Sequence, residues 1–195
     1  MLERIAQPGE LTLAAVDTVS PFENIADVHA MYEARVFRFL LFSVRDRDLA
    51  LSLTQDTFLS AWRSRASFRG DCSIATWLMR IAVNLVRNHT RTGGFRFWKK
   101  AEATAVDATD LQGHLRHPNA SAESTLIARQ QVAQVWESVE RLSARQRTIF
   151  LLRFVDELEL NEIAVVTGLT LPTVKSHLYR ALDHVRAGQG KREKR

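Results

Sequence analysis

Ser67-Phe-Arg-Gly-Asp-Cys-Ser-Ile-Ala-Thr-Trp-Leu-Met-Arg-Ile-Ala-Val-Asn-Leu-Val-Arg-Asn88 decides how the rest of the chain reads, because it passes from turn chemistry into a two-faced helix. Gly70-Asp71 favours a turn. Ser73 is a helix N-cap, and the helix it opens runs to about Thr92, where Gly93-Gly94 stops it. Ile74, Trp77, Leu78, Ile81 and Leu85 form an apolar stripe suited to a core. Arg80, Asn84, Arg87, Asn88 and Arg91 form a second stripe with three cations, two amides and no acid. Guanidinium groups pair with phosphates and asparagine amides read base edges. A merely solvated face usually mixes both signs. Phe68 has two readings on spacing alone, as a platform for an unstacked base or as a plug in the core.

Upstream the pattern is helical from Val28, with Val28, Tyr32, Val36 and Leu40 four apart and Met31, Phe39 and Phe42 widening the stripe. A second helix is expected from about Asp46 to Ser64, carrying Leu51, Phe58 and Trp62. Residues 1–27 read as a loose N-terminal extension. Downstream, residues 95–125 open with Phe95-Arg-Phe-Trp-Lys-Lys100 and continue as an Ala/Thr/Asp-rich linker. Periodicity returns at Val132, Val135, Trp136, Val139 and Leu142, and Ser143-Ala-Arg-Gln146 has the form of a capping box opening a further helix. That helix turns Ile149, Leu152 and Val155 inward.

Leu160–Thr167 and Leu171–Arg186 are separated by Gly168-Leu169-Thr170, the arrangement of a helix-turn-helix. Gly168 supplies a positive φ, Thr170 a cap, and Pro172 sits where the first turn tolerates it. Val174, Leu178, Ala181 and Val185 face inward; Thr173, Ser176, His177, Arg180 and His184 face out, with Lys175 at the edge. An outer face of small polar and basic residues suits a major groove. The reading is all-α: two small helical domains joined by a linker, with no strand and no repeat.

The net charge of +5 is unevenly spread: −4 over residues 1–27, +5 over 28–95, zero over 96–125 and +4 over 126–195. Two basic blocks flanking a neutral one suit a polyanion gripped at two places. A single cysteine, Cys72, excludes an internal disulfide framework and a cysteine-based zinc site. No apolar run approaches the roughly 20 residues that cross a bilayer, and the acidic start of the chain is unlike a signal peptide. A soluble, cytoplasmic protein without membrane insertion is expected. The six histidines are scattered, no metal-ligand spacing appears, and no phosphate loop or nucleophile motif is present. Neither an enzyme nor a bound metal or cofactor is therefore expected.

In order and spacing, these pieces resemble the extracytoplasmic-function (ECF) sigma factors of the sigma-70 family over about residues 28–92 and 123–187. The Ser67–Asn88 segment looks like region 2, expected over 28–94; Leu142–Ala181 looks like region 4, expected over 126–187 and followed by a basic tail at 188–195. The resemblance implies an alternative sigma factor that brings core RNA polymerase to two-part promoters. Phe68, Arg69, Asp71, Ser73, Arg80, Asn84, Arg87 and Asn88 would then melt and read the −10 element. Thr170, Pro172, Thr173, Lys175, Ser176, His177 and Arg180 would read the −35 duplex. Asp48, Gln55, Asp56, Phe58 and Trp62 would dock on the β′ clamp helices. The β flap and an anti-sigma factor are further implied partners, and the linker would thread through polymerase.

Three departures from the family pattern stand out. Leu49-Ala-Leu-Ser52 occupies a place where the family usually carries acids, His177 one where it often carries Arg, and Glu159 one where a Ser or Thr cap is usual. The nearest alternative is a stand-alone helix-turn-helix regulator with an unrelated helical partner domain.

Overall fold

The computed structural model describes residues 25–91 and 132–190. Every regular element among them is helical. The extension through residue 24, the linker with its Phe95–Lys100 start, and residues 191–195 of the tail lie outside the described residues.

Asp46 fixes the first reversal of the chain. Helix α1 (Ile25–Val44) begins three residues before the expected start and ends at Arg45, which takes a left-handed φ of 59°. The Asp46 carboxylate then accepts the Leu49 amide at 2.9 Å and caps α2 (Arg47–Ser64). Two threonines inside α2, Thr54 and Thr57, are buried, and each hydroxyl donates to the carbonyl four residues earlier at 2.7 Å. Their polarity is thereby satisfied without a partner helix. A single 3₁₀ turn (Arg65–Ser67) and a Gly70 at φ 78° lead to α3 (Ile74–Arg91). Ser73 caps it as expected, its Oγ accepting the Thr76 amide at 3.1 Å.

In the second half, residues 132–140 form helix α4. The Ser143/Gln146 capping box is present in full and opens α5 (Ala144–Phe154). The pair α6 (Leu160–Thr167) and α7 (Leu171–Gly190) turns through Gly168 at φ 68°. Glu159 stands at the N-cap of α6 and shares a reciprocal capping box with Glu162. Its carboxylate pairs with Arg153 at 3.0 Å, while Glu162 reaches back to accept the Glu159 amide at 2.9 Å. Val174, Leu178, Ala181 and Val185 are all buried, so the inward stripe of α7 is as its spacing implies. Near its end α7 runs close to α4: a Cβ at Gly188 would collide with the Ser138 hydroxyl.

The two sets of helices do more than share a linker. α6 packs on α3, α5 packs on α1, and one cluster of buried side chains runs through both halves, from Phe39 and Leu78 to Ile149 and Ile163. This explains why α3 buries more than one stripe. Leu78 is fully buried as expected, but so are Met79 and Ala82, and Thr76 and Val83 nearly so. Ile74, Trp77, Ile81 and Leu85 are only partly buried. The helix is sandwiched between its own bundle and α6.

Polar pairs cross the same boundary. Arg35 donates from Nε to Asp156 Oδ1 at 3.0 Å and from Nη2 to the Asp156 carbonyl at 2.8 Å. Arg45 meets Glu140 at 2.6 Å, and the Thr76 hydroxyl donates to Glu162 at 3.0 Å. Between them Phe42 stacks on Trp136, with ring centroids 4.5 Å apart and planes 13° apart.

Candidate nucleic-acid interface

α3 presents its cationic face to solvent. Arg80, Arg87, Asn88 and Arg91 are exposed and Asn84 is half-buried beside them. Arg87 Nη2 donates to Asn84 Oδ1 at 2.8 Å. Asn84 thus has its carbonyl engaged and its two amide hydrogens left to donate. Arg87 also lines a cleft of about 390 Å³ shared with Arg145, Arg147 and Gly168 of the second half, so one end of this face borders the seam between the halves.

The preceding turn sets a second group at the N-terminus of this face. Arg69 and Asp71 are exposed around Gly70. Phe68 is half-buried, packs against the core and meets the Trp77 ring edge-on at 5.4 Å, with part of its surface still open to solvent. Ser73 is engaged as the cap and through a 2.8 Å hydroxyl pair with Thr76. Burial pushes the Cys72 thiol up, with Arg80 opposing and Asp71 and Glu162 reinforcing, so it is not an activated thiolate.

On α7, Thr170, Pro172, Lys175, Ser176 and Arg180 are exposed, and Thr173 and His177 are half-buried. The Thr170 and Thr173 hydroxyls pair at 2.8 Å across the first turn. His177 differs from its free state: burial first, then Arg145 and Arg180, hold its pKa below the ordinary histidine value. At neutral pH it therefore stands as a neutral ring, unlike the titrating group its residue type suggests.

The third expected surface is on α2. Asp48, Gln55 and Asp56 are exposed, and Trp62 is 38% exposed with the Arg65 guanidinium 3.8 Å over its ring. Leu51 and Leu59 lie on the same face, 43% and 45% exposed. Leu59 was not singled out by its spacing; its signal is an apolar side chain eight residues from Leu51 and three from Trp62, on the same side of the helix. Phe58 does not belong to this surface. It is 5% exposed, because the start of α1 covers it with the His29 ring at 4.5 Å. It anchors α2 from within.

Among the described residues no group of His, Cys, Asp or Glu is placed to hold a metal ion, and no helix is long and apolar enough to cross a membrane. The described residues thus offer two separate basic helix faces and one mixed apolar and acidic face.

Comparison with known proteins finds two family models on the chain: Sigma-70 region 2 over residues 28–96 and Sigma-70 region 4 over residues 133–185. The RNA polymerase sigma-H factor of Pseudomonas aeruginosa is 30% identical over 155 residues, covering 79% of this chain and 80% of that protein. The ECF RNA polymerase sigma-E factor of Escherichia coli K12 is 31% identical over 134 residues, 68% of this chain and 70% of that one. Among solved structures, the sigma factor RpoE in complex with the anti-sigma factor NepR from Bartonella quintana aligns with a TM-score of 0.64 at 20% identity. That alignment covers 85% of this chain and 96% of that one. CnrH in complex with the cytosolic domain of CnrY aligns at 0.58, also at 20% identity, over 84% and 85% of the two chains. At these identities the two structures attest the fold.

Proposed function

This chain belongs to the ECF group of the sigma-70 family and is an alternative sigma factor directing RNA polymerase to promoters; on that footing we propose how its surfaces divide the work. The α3 face, with Arg80 and Arg87 on phosphates and Asn84 and Asn88 on base edges, takes the melted −10 strand. Arg69, Asp71 and the backbone around Gly70 border the captured base, with Phe68 and Ser73 shaping the turn from below. The α7 face, Thr170 to Arg180, enters the −35 major groove.

The observation that carries this division is the all-cationic, amide-bearing face of α3, exposed and free of acids, on a helix other than the one in the helix-turn-helix. A stand-alone regulator has no use for it, and neither family model nor relative favours that alternative.

The exposed row on α2, with Asp48, Gln55, Asp56 and Trp62 joined by Leu51 and Leu59, is the surface offered to the β′ clamp helices. With Leu49–Ser52 in place of acids, this docking rests more on apolar contact than on charge. The region-4 half would meet the β flap. An anti-sigma factor as a further partner is supported by the RpoE–NepR complex, in which a protein of the same fold is so held. The chain acts by binding and positioning, leaving the chemistry to polymerase, and so works in the cytoplasm beside the DNA. Transcription reconstituted from purified core polymerase, this protein and a promoter library tests the reading. Initiation at a defined two-part promoter is expected; no selective initiation from any library member would overturn it.

A further inference from the structure

The cleft beside Arg87 has the dimensions of a small-molecule site. Its volume of about 390 Å³ falls within the roughly 300–1,000 Å³ usual for such sites. Its apolar walls are aliphatic: Val44 and Leu49 from either side of the α1–α2 turn, Val83 and Val86 from α3, and Leu169 from the turn before α7. No aromatic ring lines it among the described residues, so its walls suit an alkyl chain better than a stacked ring.

The polar lining is one-sided. The hydroxyls of Ser43, Thr90, Thr148 and Thr167 each donate to a carbonyl of their own helix, at 2.7, 2.9, 2.9 and 2.6 Å. Their donor capacity is spent inside the fold. Three guanidinium groups share the lining, Arg87 from α3 and Arg145 and Arg147 from α5, and no carboxylate does. None of the three belongs to an ion pair among the described residues. Arg147 donates to the carbonyls of Glu140 and Leu142, and its Nε has no partner. Burial, then Arg45, draws its pKa below the ordinary arginine value, with Glu140 opposing. A further anion nearby would stabilise that charged form.

Aliphatic walls with three uncompensated cations match an amphiphile that has one anionic head. A neutral head leaves the guanidinium groups unanswered, and a cationic head is repelled. We propose that this cleft binds a monomeric medium-chain carboxylate, its head met by the arginines and its alkyl tail laid along Val83, Val86 and Leu169. The site is a property of the free chain and stands independently of the sigma reading.

The test is calorimetric titration of the full chain with sodium decanoate below its micelle concentration, alongside NMR of the valine and leucine methyl groups. Saturable one-to-one binding is expected, with shifts at Val44, Leu49, Val83, Val86 and Leu169. Each methylene removed on passing to octanoate and hexanoate should weaken binding by up to about four-fold. Decanol and decyltrimethylammonium, with the same tail and a neutral or cationic head, should bind at least about ten-fold more weakly. Arg145→Glu, at an exposed position, should lower decanoate affinity about ten-fold, and Ala144→Trp, also exposed, should block binding by filling the cleft. Both should retain helicity by circular dichroism; if either does not, the head-group series on the unaltered chain decides. Absence of saturable binding overturns the proposal, as do affinity indifferent to the head group, methyl shifts confined to other residues, or unchanged affinity in the folded variants. Co-sedimentation with phosphatidylglycerol vesicles without uptake of dissolved decanoate would assign the cations to a lipid surface and overturn it too.

Discussion

The guanidinium of Arg87 donates to the Asn84 side-chain carbonyl across one turn of α3. The arginine therefore has two tasks, one toward phosphate and one toward the orientation of the amide beside it. Asn84→Ala should relax base selectivity at one −10 position by about 1–3 kcal/mol, the usual discrimination of a good side-chain contact to a base edge. Arg87→Ala should weaken binding to every sequence and also relax that same position. A double-mutant cycle on single-stranded −10 oligonucleotides bound to holoenzyme would show the coupling; additive losses would mean the two act independently.

Arg180 stands exposed on the outer face of α7, a different helix from the one that carries Asn84 and Arg87. Arg180→Ala should weaken binding to −35 duplex and lower the salt dependence by about one phosphate contact. Binding to single-stranded −10 DNA should not change. Anisotropy titrations at several salt concentrations measure both, and an equal loss on the two DNAs would contradict the division of faces.

His177 gives a pH prediction opposite to that of a free histidine. Its pKa is lowered by burial, Arg145 and Arg180, so the folded protein holds the neutral ring where the unfolded chain is already protonating. Its contribution to stability is intact above the ordinary histidine value and is lost as pH falls below about 6.5 toward the lowered folded value. Affinity for −35 duplex should change less between about pH 6.5 and 8 than an ordinary histidine would make it, because the lowered pKa moves the charge change to more acidic pH. A titration centred at pH 7, removed by His177→Gln, would refute this.

Glu162 closes the start of α6 and bonds to α3 with its two oxygens. Glu162→Ala should destabilise the protein by about 1 kcal/mol through the lost cap, read as a lowered urea midpoint. Glu162→Gln keeps a reaching carbonyl and should recover most of that loss. Equal losses for the two would show that charge, not capping, matters here.

Local features were legible before the fold was known. The caps at Ser73 and Ser143, the turn at Gly168, the inner stripe of α7 and the cationic stripe of α3 each depend on neighbours within a few residues. Closure of the halves was not legible. Arg35 and Asp156 are 121 positions apart, and Thr76 and Glu162 86 apart, and such pairings leave no periodic trace. Arg35 and Arg45 read simply as polar positions on α1. The misplacement of Phe58 has a related cause: its burial depends on the His29 ring, 29 positions away on another helix, and such a contact leaves no trace in the spacing of α2.

The stacked pair Phe42 and Trp136 spans the seam between the two halves. An indole partly buried against a ring fluoresces at shorter wavelength than one bathed in water, so any loosening of this seam would move the Trp136 emission toward the red. Trp62 and Trp77 belong to the other half and do not change sides in that movement. The protein thus contains an optical gauge of this seam, with Trp136→Phe as the blank that separates its signal from the remaining tryptophans. Emission followed while core polymerase is added would report the state of the Phe42–Trp136 contact without any attached dye.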